Sequence, residues 1–140
     1  MIARIRKSLE KKEKGFTLIE LLVVMIIIGI LAAVAIPIFL SQRAKAQDTA
    51  AKADVSTLGK EIATYYVDWV SGTPVLAISG NSYLLNGSFI GNHSANVSII
   101  PTRNYFTNGT TWCVEVRNDQ GKIKTFHYSA KGGLQSGVCV

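Results

Sequence analysis

Glu20 is the one charged residue between Phe16 and Leu40. A carboxylate inside hydrocarbon costs roughly 2.5–3.5 kcal/mol on insertion scales, so such acids generally face a partner and carry a function. The chemistry open to Glu20 is charge pairing, in which a cation brought alongside offsets that cost. Few other residues could do chemistry. Cys113 and Cys139 could oxidise to a disulfide or stay as thiols, and His93 and His127 could take up a proton or a metal. His93 stands in a Gly/Asn/Ser loop. His127 stands in a strand-like stretch with no Asp or Glu at ligand spacing, so both read as ordinary surface or edge-strand residues. No serine nucleophile elbow, phosphate-binding glycine loop or zinc spacing occurs. The expectation is no catalytic residue, no metal and no cofactor, hence no enzyme.

The element holding Glu20 is a membrane-length helix. Leu21 to Leu40 is an uncharged run of 20 residues, and a bilayer core needs about 20 at 1.5 Å rise each. The run exceeds the apolar region of a secretory signal, about 7–15 residues, and no A-x-A-like site follows it. The small residue at a plausible cut, Gly15, precedes the run, so cleavage there would leave the anchor in place. The leader carries Arg4, Arg6, Lys7, Lys11, Lys12 and Lys14 against Glu10 and Glu13. That charge keeps its side of the membrane cytoplasmic and sends the chain after Leu40 outward. It also accounts for most of the net charge of +6, so the basic balance is weak support for nucleic-acid binding by the exposed part.

Beyond Leu40 the helical spacing continues. Ala51, Val55, Leu58, Ile62, Tyr65 and Trp69 form one apolar stripe, with Lys45, Asp48, Lys52, Lys60, Glu61 and Asp68 placed opposite. Ser71-Gly72-Thr73-Pro74 is a stop signal. The helix is expected over 16–70, its stripe serving as core and not as a ligand box. Strand-like pieces follow at Val75–Ser79, Tyr83–Leu85, Val97–Ile100, Tyr105–Thr107, Thr111–Arg117 and Lys122–Tyr128, the last two joined by the turn Asn118-Asp119-Gln120-Gly121. An antiparallel sheet of three or four strands laid on the second half of the helix would bury both apolar faces. The sequons at Asn86, Asn92, Asn96 and Asn108 read as turn chemistry. Gly29 and Pro37 interrupt the apolar run, and a kink or local unwinding is expected at Pro37.

Lys14-Gly15-Phe16-Thr17-Leu18-Ile19-Glu20-Leu21-Leu22-Val23-Val24, followed by Gly29 and Ala32-Ala33-Val34-Ala35-Ile36-Pro37, resembles the class III signal and N-terminal helix of type IV pilins and pseudopilins. The resemblance implies the α+β pilin fold: one long N-terminal helix, transmembrane in its first half, packed against a small antiparallel sheet with a disulfide-bounded C-terminal region. It implies a leader over 1–15 removed by a prepilin peptidase between Gly15 and Phe16, with N-methylation of Phe16. A filament-core helix over 16–40, an amphipathic continuation over 41–70 and a β head over 71–140 follow. Glu20 would pair with the Phe16 amine, and the segment from Gly29 to Pro37 would lose helical order in a filament. Two cysteines on a translocated domain favour a Cys113–Cys139 disulfide, which would enclose a tail like that of many pilins.

The functional expectation is a structural subunit of a helical homo-oligomeric filament, held in the inner membrane before assembly and extracellular after it. Its partners would be the peptidase and, indirectly, the assembly platform and ATPase machinery. Two alternatives stand beside it. One is a pseudopilin of a type II secretion or DNA-uptake system. The other is a membrane-tethered module in which Arg103, Trp112, Arg117, Lys122, Lys124 and Lys131 bind DNA or a host glycan.

Overall fold

A computed structural model describes residues 15–68 and 72–140. The basic leader and the Trp69 end of the apolar stripe lie outside the described residues. Helix α1 runs Leu18–Val67, a length of 50 residues, somewhat shorter at each end than the expected 16–70. Its start is fixed by a reciprocal cap. The Thr17 hydroxyl accepts the Glu20 backbone N–H at 3.3 Å, and the Glu20 carboxylate accepts the Thr17 N–H and hydroxyl, both at 2.7 Å. This is a capping box, in which two otherwise orphaned donors satisfy each other's residues. α1 runs through Gly29 and Pro37 as one unbroken helix.

The chain divides after Phe39 into two compact units. In the first, every large apolar side chain from Leu18 to Phe39 is at least 46 % exposed. In the second, the rest of α1 packs against strands β1 (Leu76–Ser79), β2 (Ser82–Leu85), β3 (Ser88–Asn92), β4 (Val97–Ile99), β5 (Tyr105–Asn108), β6 (Thr111–Asn118), β7 (Thr125–Ser129) and β8 (Gly133–Ser136). They form two sheets where one of three or four strands was expected. The first is three-stranded in the order β1-β2-β3; the second is five-stranded, β4-β6-β7-β8, with β5 also pairing β6.

The strands missed in the sequence are β3 and β8, and both owe their existence to turns. Asn86 and Gly87 adopt φ of 51° and 82°, the left-handed pair that a two-residue hairpin needs between β2 and β3. β8 is mostly polar and exposed, so no apolar alternation announces it; it is recruited by pairing Phe126 with Ser136 and Tyr128 with Leu134. β7 begins at Thr125 and not at Lys122, because the amides of Lys122 to Lys124 bond to a helix side chain instead of a strand.

The core is a single cluster of Ala51, Val55, Leu58 and Ile62 from α1 against Tyr83, Val97, Trp112, Val114, Val116 and Phe126. β6 is buried on both faces. Trp112, Val114 and Val116 enter this core, whereas Cys113 and Glu115 lie on the alternate face with the C-terminal tail. Gly59 sets how closely helix and sheet approach, since a Cβ there would collide with the base of the Tyr128 side chain. Tyr128 in turn stacks on Trp112 with ring centroids 5.9 Å apart and planes 4° from parallel.

Candidate functional site

The main functional surface that the sequence singled out is the apolar stretch of α1 with Glu20 near its beginning. Leu18, Met25, Ile30, Leu31 and Phe39 are each more than 60 % exposed. Burying such a side chain is worth about 1.5–3 kcal/mol, so a helix surface bare along its whole circumference is stable only in lipid or against other helices. Among the described residues, α1 is the one helix long and apolar enough to cross a membrane. Phe16 is 84 % exposed and precedes the cap by one residue. Glu20 is thereby placed near the Gly15–Phe16 bond, and Gly29 and Pro37 lie further along the same stretch. Its carboxylate already holds two donors from Thr17, a local partner that sequence reasoning overlooked although Thr-x-x-Glu is the cap's signature.

In the second unit the polar chemistry is inward. Asp48, expected on the solvated side, is 5 % exposed and accepts the backbone N–H groups of Lys122, Ile123 and Lys124 at 3.0–3.1 Å. It lies three residues before Ala51, on the stripe itself. Asp54 accepts the Tyr83 hydroxyl at 2.8 Å, the Ser94 N–H at 2.9 Å and the Ser94 hydroxyl at 2.7 Å. Burial, then the bond to Asp54 and that acid's negative charge, push the Tyr83 phenol far above its ordinary value of 10.0. Glu115, 2 % exposed, accepts the Cys139 N–H at 2.9 Å and sits 3.6 Å from an Arg103 guanidinium nitrogen. Each acid thus pins a separate piece of chain to the core through donors that a low-dielectric interior makes costly to lose.

Cys113 and Cys139 are joined as a disulfide, with Cα atoms 6.0 Å apart. It secures the segment after β8, where Tyr105 also donates to the Val140 carbonyl at 3.1 Å. The histidines differ from expectation. His127 is 7 % exposed in β7, an interior strand, with Nδ1 3.2 Å from the Gly137 carbonyl. His93 is partly buried against the Val97 carbonyl and edge-on to Tyr83.

The six residues considered for a DNA or glycan surface do not form one patch. Trp112 is 3 % exposed and committed to the core. Arg103 faces Glu115 and Arg117 pairs with Asp119 at 2.5 Å. Lys131 belongs to the β7–β8 turn, at the opposite end of β7 from Lys122 and Lys124.

Comparison with known proteins bears directly on the helix. The prokaryotic N-terminal methylation motif matches residues 11–36. The fimbrial protein EcpC of Eikenella corrodens is 31 % identical over 131 residues, covering 94 % of this chain and 84 % of that protein. The chain belongs to the type IV pilin and pseudopilin family. A fimbrial protein of Pseudomonas aeruginosa is 56 % identical over 48 residues, which is 34 % of this chain and 31 % of that protein. The match to that relative therefore spans about a third of its length. The type II secretion system core protein G of the same organism is 40 % identical over 58 residues, 41 % of each chain. No solved structure matches. The family is one of structural subunits, and the α+β fold with its long helix, antiparallel sheets and C-terminal disulfide agrees with it.

Proposed function

We propose that the chain is a structural subunit of a type IV pilus. The observation that carries this reading is a capped helix in which Leu18 to Leu40 is bare apolar surface with Glu20 as its single charge. Cleavage between Gly15 and Phe16 frees a cationic amine at Phe16, which becomes N-methylated. During assembly the helix leaves lipid and buries its flanks on copies of itself. Glu20 then pairs with a Phe16 amine, its own or a neighbour's, exchanging the Thr17 donors for a charge that fixes axial register. In the packed filament the Gly29–Pro37 segment unwinds. The prepilin peptidase and membrane assembly machinery are the implied partners, with the leader cytoplasmic and the head outside.

A pseudopilin fibre uses the same helix logic. The pilus reading is favoured because the match to a fimbrial protein runs over 94 % of the chain, while the match to the secretion protein stops after 58 residues. Electron microscopy of sheared cell-surface material with mass spectrometry of its N-terminal peptide tests both. Filaments whose first residue is methylated Phe16 are expected; retained Met1 would overturn the reading. In parallel, Glu20→Val is expected to leave membrane-inserted subunit but few filaments, since a buried pair stripped of one member costs about 3–5 kcal/mol.

A further inference from the structure

The β6–β7 turn is held against α1 by unusually dense polar contacts. Three successive amides, from Lys122 to Lys124, point at Asp48. The Asn118 side-chain amide adds bonds to the Gln47 carbonyl at 3.2 Å and to its side-chain oxygen at 2.8 Å. Asp48 lies eight residues after Leu40, about 12 Å along a helix axis. β7 gives the turn its direction. Tyr128 meets Gly59, Phe126 lies under the Lys52 ammonium at 5.3 Å, and the turn meets Asp48, so the strand leads back toward Leu40.

At this end of the head four bases are exposed: Arg43, Lys45, Lys122 and Lys124. None forms an ion pair among the described residues. Between the two turn lysines, Ile123 is 51 % exposed and outside the core. The nearby acids are occupied, Asp48 by amides and Asp119 by Arg117.

We propose that this turn, together with Arg43 and Lys45, is a docking surface for anionic phospholipid headgroups of the leaflet around the end of the apolar run. The inference rests on the reading that α1 occupies a membrane before assembly. The headgroup layer begins where the hydrocarbon-compatible residues stop, at Leu40, and adds roughly 5–8 Å on each side of the bilayer core. Lys45 lies within that depth along the axis, and Lys122 and Lys124 stand at the level of Asp48, about one helical turn further out. Basic residues beside an anionic surface each contribute about a fivefold gain in association, while Ile123 supplies an apolar contact at the interface. A second copy of the chain is a poorer occupant. Outside the buried and paired acids, its head offers only Glu61 and Asp68 to four bases.

The turn is fixed through its backbone amides, so its lysine side chains can be removed without loosening it. The test reconstitutes the full chain in vesicles of phosphatidylcholine, with and without phosphatidylglycerol. An environment-sensitive dye sits at Gln120→Cys, and the quencher is carried on lipid headgroups. Strong quenching is expected only with phosphatidylglycerol. It should weaken about fivefold for each of Lys122→Ala and Lys124→Ala and fade in high salt. Resistance of Cys113 and Cys139 to alkylation checks that the head stays folded. Equal quenching in both vesicle types, or in the double variant, would overturn the proposal. A response only to added duplex DNA, or only to protein density in the vesicle, would also overturn it and reassign the patch to nucleic acid or to subunit contact. These vesicles contain no assembly machinery, so a failure of cells to make filaments would strike the filament reading and leave this result standing.

Discussion

Asp54 and Tyr83 show how single residues hold the head together. The phenol donates to a buried carboxylate and loses its proton only at a pH well above the ordinary tyrosine value. A group whose folded pKa is raised contributes stability that is complete below the unfolded pKa, about 10, and is lost as pH climbs beyond it. Unfolding of the wild-type head is therefore expected to become easier by about 1.4 kcal/mol per pH unit above roughly pH 10. Tyr83→Phe should cost about 1 kcal/mol near neutrality and flatten that alkaline slope, as denaturant melts at a series of pH values will show. An unchanged slope in the variant would detach Tyr83 from the effect. Asp48 was legible in principle, because 48, 51, 55, 58 and 62 continue one stepping of three and four. Reading every charged residue as solvent-facing concealed it. Glu115 was hidden differently: the returning tail, which no local pattern predicts, reaches it through the Cys139 N–H, with Arg103 beside it.

Among elements, the helix was the most readable, since its apolar spacing and its breakers act locally. Its beginning shifted to Leu18 because Thr17 and Glu20 cap each other, and a bias toward reading Glu20 as purely intramembrane obscured that local bond. β6 and the turn after it were legible from alternation and turn residues. β3 and β8 were not, for their strands are set by hairpin geometry and by pairing to a neighbour. The fit of helix to sheet rests on Gly59. Gly59→Ala gains up to about 1 kcal/mol of helix propensity but forces the Tyr128 ring off Trp112, so a net loss of roughly 1–2 kcal/mol is expected. Thermal unfolding of the full chain in detergent should show a lower midpoint; a higher one would mean that the sheet yields freely. In a filament map, broken helical density between Gly29 and Pro37 is expected, and continuous density there would remove the unwinding proposal.

At the level of the whole molecule, stability of the head depends on a covalent tie between β6 and the tail. Closing a loop of 26 residues is worth roughly 3 kcal/mol in the chain-entropy description. Reduction should lower the denaturant midpoint by that equivalent and expose the tail to hydrogen exchange, while α1 and β1–β3 keep their protection. Uniform loss of protection would show that the tail supports more than its own segment. The bare helix and the ordered head thus answer to different surroundings, one to lipid or sister helices and the other to solvent. The short turn at Gly80 is exposed, and nothing lies within 4 Å of where a side chain would start there. Exposed hairpin tips of small residues accept inserted peptides readily. A foreign epitope grafted at Gly80 would leave the buried acids and the disulfide untouched, and a polymer of such subunits would present it as a dense, regularly spaced array with the avidity that repetition confers.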